Sequence, residues 1–229
     1  MGLDGRAGTD VGDDRGGPTY ARTPSQLHGT TETPLMDAQP LPRSAARDYS
    51  VSVWAANLYA LALILPLGAV MLAAHNHAHG IVHLARGFDD WLVGGRWLVG
   101  LGVGVVTHEF LHGLAWRVRG GAHWSSIRFG FSWKALSPYA HCRVPMTARA
   151  YRVAAATPGI VLGLVPALVG VTMGWGMWTA FGFLFTVAAG GDAVTLWVLR
   201  NVPGDWLVED HPSQAGCLVY APVEVAPEA

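Results

Sequence analysis

The sequence predicts an all-α fold: a polytopic membrane protein of about four transmembrane helices, with a small β-hairpin as one option in the loop between the second and third. Two observations carry this. Of the 229 residues, 51% are hydrophobic and only 14% charged, against ~25% charged in ordinary soluble domains. The charges are also segregated. Residues 49–85 contain no Asp, Glu, Lys or Arg, and residues 153–191 carry no formal charge. The net charge of −1 gives no support to nucleic-acid binding, which needs a strongly basic domain. Two cysteines, Cys142 and Cys217, are too few for a disulfide framework.

Residues 1–48 read as a disordered polar tail. They are rich in Gly, Pro and Thr and lack any apolar run, so they cannot bury enough surface to offset chain entropy. They also lack the apolar core of a signal peptide. The membrane-embedded domain is expected over 49–217, and 218–229 as a short tail. Within the domain, residues 51–74 form a first apolar run, long enough for a hydrocarbon core that needs ~20 helical residues. A second span is expected at about 91–117, interrupted by Arg96 and Glu109. The long uncharged stretch is worth two spans, about 152–173 and 176–199, divided at Gly174-Trp175-Gly176, because Gly and interfacial Trp mark turns at the membrane surface. Pro66, Pro158 and Pro166 fall inside spans, where membrane helices tolerate proline better than soluble ones.

Orientation follows from the basic residues. Arg117, Arg119, Arg128, Lys134, Arg143, Arg149 and Arg152 lie between the second and third spans, with no acid among them. The positive-inside rule puts that segment in the cytoplasm. Four spans then put both termini there, in the cell membrane. Within the segment, residues 127–133 alternate large with small or polar side chains, and Ser137-Pro138 is a turn signal before a second extended run. Pattern alone supports a hairpin and an amphipathic interfacial loop equally.

The second span contains His108-Glu109-Phe110-Leu111-His112, or HExxH. Histidines four apart stand one turn above each other on a helix, so both rings can reach one metal ion. Glu109 is then placed as general base on a metal-activated water. With this content of His and Glu, chance yields about 0.01 such matches in the chain. Ionisable groups inside a span are also costly and mark function or a buried partner. The rival reading is a polar cluster that packs helices.

A zinc site of this type needs a third protein ligand. Ala115 and Val118 stand where a HExxHxxGxxH site requires Gly and His. Between 110 and 204 the only carboxylate is Asp192, which elimination makes the expected third ligand. His112 is five residues from Arg117 and Asp192 eight from Arg200. At ~1.5 Å per residue, both lie within about 12 Å of the same surface. Zinc with ionised Glu109 and Asp192 sums to zero charge, which eases burial of all three.

Other groups stay open. His75, His77, His79 and His83 crowd the loop expected after the first span, and read either as a metal-loading site or as an interfacial polar loop. His141-Cys142 is either an inhibitory fourth ligand or a packed thiol beside a hydrogen-bonded imidazole. Asp210-His211-Pro212-Ser213 reads as a turn or cap rather than as catalytic.

The runs HEFLHGLAW, SPYAHCRVPMTARAYRVAAATPGIVLGLVP and AAGGDAVTLWVLRNVPGDWLVEDHPSQAGC resemble the putative zincin peptidase family of integral membrane proteins, over about residues 90–217. That family in turn resembles the site-2 intramembrane metalloproteases. The resemblance implies His108, His112 and Asp192 as zinc ligands and Glu109 as catalytic base. It also implies that an extended element, here within 127–144, pairs with an unwound substrate. Asp192 follows Gly-Gly rather than the Asn-Pro usual in site-2 proteases. The expected function is therefore zinc-dependent peptide hydrolysis in the lipid bilayer, on a membrane-protein or peptide substrate. The alternatives are a metal transporter or metal-binding membrane protein, and a catalytically inactive scaffold.

Overall fold

A computed structural model describes residues 46–133, 137–211, 214 and 216–222. The expected N-terminal tail lies outside the described residues up to residue 45. So do Lys134, Pro212, Ser213 and residues 223–229.

The described chain runs β1 (Arg47–Asp48), α1 (Val53–His79), α2 (Ile81–Leu92), α3 (Arg96–Arg119), β2 (Ile127–Ser132), β3 (Ser137–Cys142), β4 (Met146–Thr147) and α4 (Ala148–Pro158). It continues through α5 (Val165–Met173), α6 (Gly176–Ala188), α7 (Gly190–Leu199), β5 (Leu207–Asp210) and β6 (Cys217–Tyr220). Three stretches are long and apolar enough to cross a membrane: Trp54–His79, Arg96–Arg119 and Ala148–Met173. A fourth is present if α6 and α7, bent by 51° at Ala189, count as one. The chain is thus mostly helical with membrane-type spans.

Several boundaries differ from expectation, each for a physical reason. The first span does not give way to a loop at residue 74. It runs to His79, where Gly80 at φ 84° ends it, and its histidines are held by neighbouring helices. His75 Nδ1 lies 2.8 Å from the Thr179 hydroxyl, and His79 Nε2 2.7 Å from the Val171 carbonyl oxygen. The expected loop is instead α2, which buries Leu84, Gly87 and Trp91 on one helical face. A Cβ on Gly87 would stand 2.1 Å from the Gly176 backbone, so α2 and α6 meet backbone to backbone. The third span begins at Ala148, capped by the Thr147 hydroxyl, which accepts the Ala150 N–H. Pro158 cannot donate to the helical ladder, and residues 159–164 after it are wound as a π-helix.

The hairpin option is realised. β2 and β3 pair antiparallel, with Ile127 opposite Cys142 and Ser132 opposite Ser137. A second, four-stranded sheet in the order β1-β6-β5-β4 was not foreseen. Its strands have two to four residues, too few for a periodicity to show. It draws Arg47–Asp48 and Cys217–Tyr220, at the edges of the expected tails, into the ordered body. A buried cluster including Trp116, Ile127, Cys142, Tyr151, Leu199 and Val208 joins the hairpin, this sheet and the helix ends beside them.

Candidate metal centre

Residues 108 and 112 are one turn apart on α3 and both buried. Their rings sit 5.0 Å apart between centroids, nearly perpendicular. Asp192 stands three residues past the Ala189 bend, in the first turn of α7. Its Oδ2 is 3.1 Å from His108 Nε2, and its Oδ1 3.2 Å from His112 Nε2. Among the described residues this is the one group of three His, Cys or carboxylate side chains with ligand atoms within 4.8 Å of one another.

The bend matters to this geometry. Gly190 packs against α1, where an added Cβ would come within 2.9 Å of Ala60 Cβ. The turn that carries Asp192 is thereby seated close to its neighbours. On α3, Gly113 performs the same service for the hairpin: a Cβ there would meet the Phe129 ring at 2.5 Å. The hairpin consequently lies directly over the HExxH turn.

His112 has a supporting partner. Its Nδ1 donates to the Ala154 carbonyl oxygen on α4 at 3.0 Å, and its ring stacks on Trp116. A bond at Nδ1 fixes the tautomer and leaves the Nε2 lone pair for an ion, the usual arrangement of a ligating histidine. Two imidazole nitrogens and one carboxylate match the three-ligand set of catalytic zinc sites. The donor set and its convergence therefore fit zinc.

Glu109 lines the same cavity of about 290 Å³, with His108, His112, Asp192, Tyr139 and Tyr151. The Ala140 backbone N–H faces its carboxylate from β3. Antiparallel pairing accounts for that direction. The Arg143 N–H bonds Ser126 across the hairpin, so residues alternate, and Cys142, Ala140 and Pro138 turn their backbone groups away from β2. The Cys142 N–H reaches Asp210 Oδ2 at 2.9 Å. Pro138 has no N–H.

The other expected residues fall elsewhere. Cys142 does not line the cavity. It is 1% exposed, its Sγ donates to the Val144 carbonyl oxygen, and burial pushes its thiol up to about 11. Those features suit a packed thiol rather than a fourth ligand. Burial likewise raises Cys217 to about 12. His75, His77, His79 and His83 form no such three-residue group. Among the cavity residues that the sequence did not single out are Tyr151 and Asp210, the latter read there as a turn. The Tyr151 hydroxyl donates to Asp210 Oδ1. A polar residue at the start of an apolar span was the available signal for Tyr151. Nothing local could have paired it with a strand 59 residues away.

No curated protein and no solved structure matches the chain. The family implies zinc, and its match is narrower than the resemblance first suggested, ending before Asp210. Residues 101–207, which carry the HExxH turn, the hairpin and Asp192, match the family described as putative zincin peptidase.

Proposed function

We propose that this chain is a membrane-embedded, zinc-dependent peptidase of the site-2 type. The observation that carries the reading is the convergence of His108, His112 and Asp192 on one point, with Glu109 lining the same cavity. His108, His112 and Asp192 would hold the ion. When bound, zinc supplies Lewis acidity for the scissile carbonyl and for the attacking water. Glu109 takes a proton from that water as its oxygen bonds to the carbonyl carbon. As the C–N bond breaks, Glu109 returns the proton to the leaving amine nitrogen. The His112–Ala154 bond keeps the ring oriented throughout.

The substrate is a peptide in extended form. A transmembrane helix has no free backbone donors, so it must unwind before cleavage and recover hydrogen bonds by strand addition. β3 forms a wall of the cavity through Tyr139 and Ala140, and is the strand such a peptide would follow. Normal cleavage after proline scanning through 127–144 would exclude this. The excess of basic residues between α3 and α4 supports a cytoplasmic position for that side and for both termini; reporter fusions at each terminus test the orientation.

The test is zinc per chain in detergent-purified protein. Wild type should hold near one, and Asp192→Ala and His108→Ala should lose it. Glu109→Gln should keep zinc and lose hydrolysis. Full activity in Glu109→Gln would overturn the mechanism. The transporter alternative lacks a second ligand group: among the described residues His75, His77, His79 and His83 bring no three ligand atoms together.

A further inference from the structure

Two sequence motifs without a role, His141-Cys142 and Asp210-His211, meet in space. Asp210 is the meeting point. Its Oδ2 accepts from the Cys142 N–H at 2.9 Å and lies 3.2 Å from His141 Nδ1. Its Oδ1 accepts the Tyr151 hydroxyl. One carboxylate on β5 therefore ties down the hairpin through β3 and the third span through α4. The carboxylate is largely buried, with 13% of its side chain exposed, and it lines the cavity that holds Glu109.

The arrangement has a direction. Cys142 and Ala140 are alternate residues on the same edge of β3. The Cys142 N–H is held by Asp210, and two residues earlier the Ala140 N–H faces Glu109. Holding the first fixes the second, because a strand that slides or lifts at Cys142 moves Ala140 with it. A buried carboxylate accepting several charge-assisted or neutral donors is a strong anchor. Removing it leaves those donors unsatisfied.

We infer that Asp210 is a positioning residue of the proposed hydrolase: by holding Cys142, His141 and Tyr151 together it fixes the β3 wall of the cavity opposite Glu109. The inference rests on the peptidase reading for its catalytic meaning. It adds a residue beyond the family match, which stops at 207. Asp210 itself touches no reacting atom.

Two readouts on the full chain in detergent test it. The first is amide hydrogen exchange. Asp210→Asn should speed exchange across residues 137–142 by about 10-fold or more, as expected when a cooperative unit loses its anchor, with residues 108–112 unaffected. The second separates wall from metal. A peptidyl hydroxamate, which lays a peptide backbone along β3, should bind Asp210→Asn about 10- to 100-fold more weakly, the usual cost of losing a supporting partner. Acetohydroxamate, which has no peptide, should bind equally, and zinc per chain should be unchanged.

Wild-type exchange at 137–142, or an equal loss of both hydroxamates, would overturn the proposal. Should Asp210→Asn not fold, Tyr151→Phe and His141→Gln each remove one tie and should move both readouts the same way; no movement in either variant overturns it. A wild type without zinc would sink the peptidase reading alone, since exchange at 137–142 still decides whether Asp210 holds β3.

Discussion

The molecule contains two histidine pairs of the same design. His75 and His79 on α1, and His108 and His112 on α3, are both four residues apart with ring centroids 5.0 Å apart. One pair faces Asp192 through both Nε2 atoms. The other is absorbed by helix packing, with Thr179 on one ring and the Val171 carbonyl on the other. Helical spacing therefore makes two rings adjacent but does not make a site. What separates the pairs is a third donor supplied from a distant helix: His75 and His112 each spend Nδ1 on a neighbouring helix, and His75 Nε2 is left without a hydrogen-bond partner, but only the α3 pair meets a carboxylate.

The largest expected effect breaks the comparison outright. Asp192→Ala should abolish zinc binding, while His75→Ala or His79→Ala should leave zinc per chain intact. Metal analysis of the three purified variants decides it, and loss of zinc from either α1 variant would make the two pairs one system. A smaller effect runs the other way. Thr179→Val removes the hydroxyl bonded to fully buried His75. It should destabilise the protein by about 1–3 kcal/mol, the cost of a buried polar group without its partner, with zinc content unchanged. Thermal unfolding in detergent measures this.

The smallest effect concerns pH. The Asp210 hydrogen bond holds His141 protonated above the ordinary imidazole range, against partial burial and the Arg143 charge. A raised value means the charged tie is complete at low pH and is lost as pH rises through that value. Amide exchange across residues 137–142 should therefore rise more steeply with pH in wild type than intrinsic exchange alone, and His141→Gln should flatten the excess. The same slope in both would remove His141 from the anchor.

The contrast also explains what was legible. The spans showed as long apolar runs with few charges, and the HExxH turn as a pattern too rare for chance. Asp192 emerged because the membrane interior leaves so few carboxylates to choose from. The sheet escaped because its strands are too short to carry a period, and α2 because Arg86, Asp89 and Asp90 broke its apolar run. The 51° bend at Ala189 was hinted at by Gly190 and Gly191, yet its angle depends on packing against α1. Asp210 was seen and undervalued. Its partners sit on two other elements, and sequence distance hides such a junction.

The outward edge of β3 has a consequence for how copies of this protein behave beside one another. The hairpin exposes Phe129, Phe131, Trp133 and Tyr139, and an exposed aromatic strand invites edge-to-edge zipping and aggregation. Along this edge Pro138 has no N–H, Ala140 turns its own to Glu109, and Cys142 gives its own to Asp210. A strand arriving there finds no ready donor, and can pair only by giving its own N–H groups to the carbonyl oxygens that this edge turns away from β2. The residues that shape the cavity thus weaken pairing between copies at this edge, while an unwound peptide that brings its own N–H groups can still lie along it.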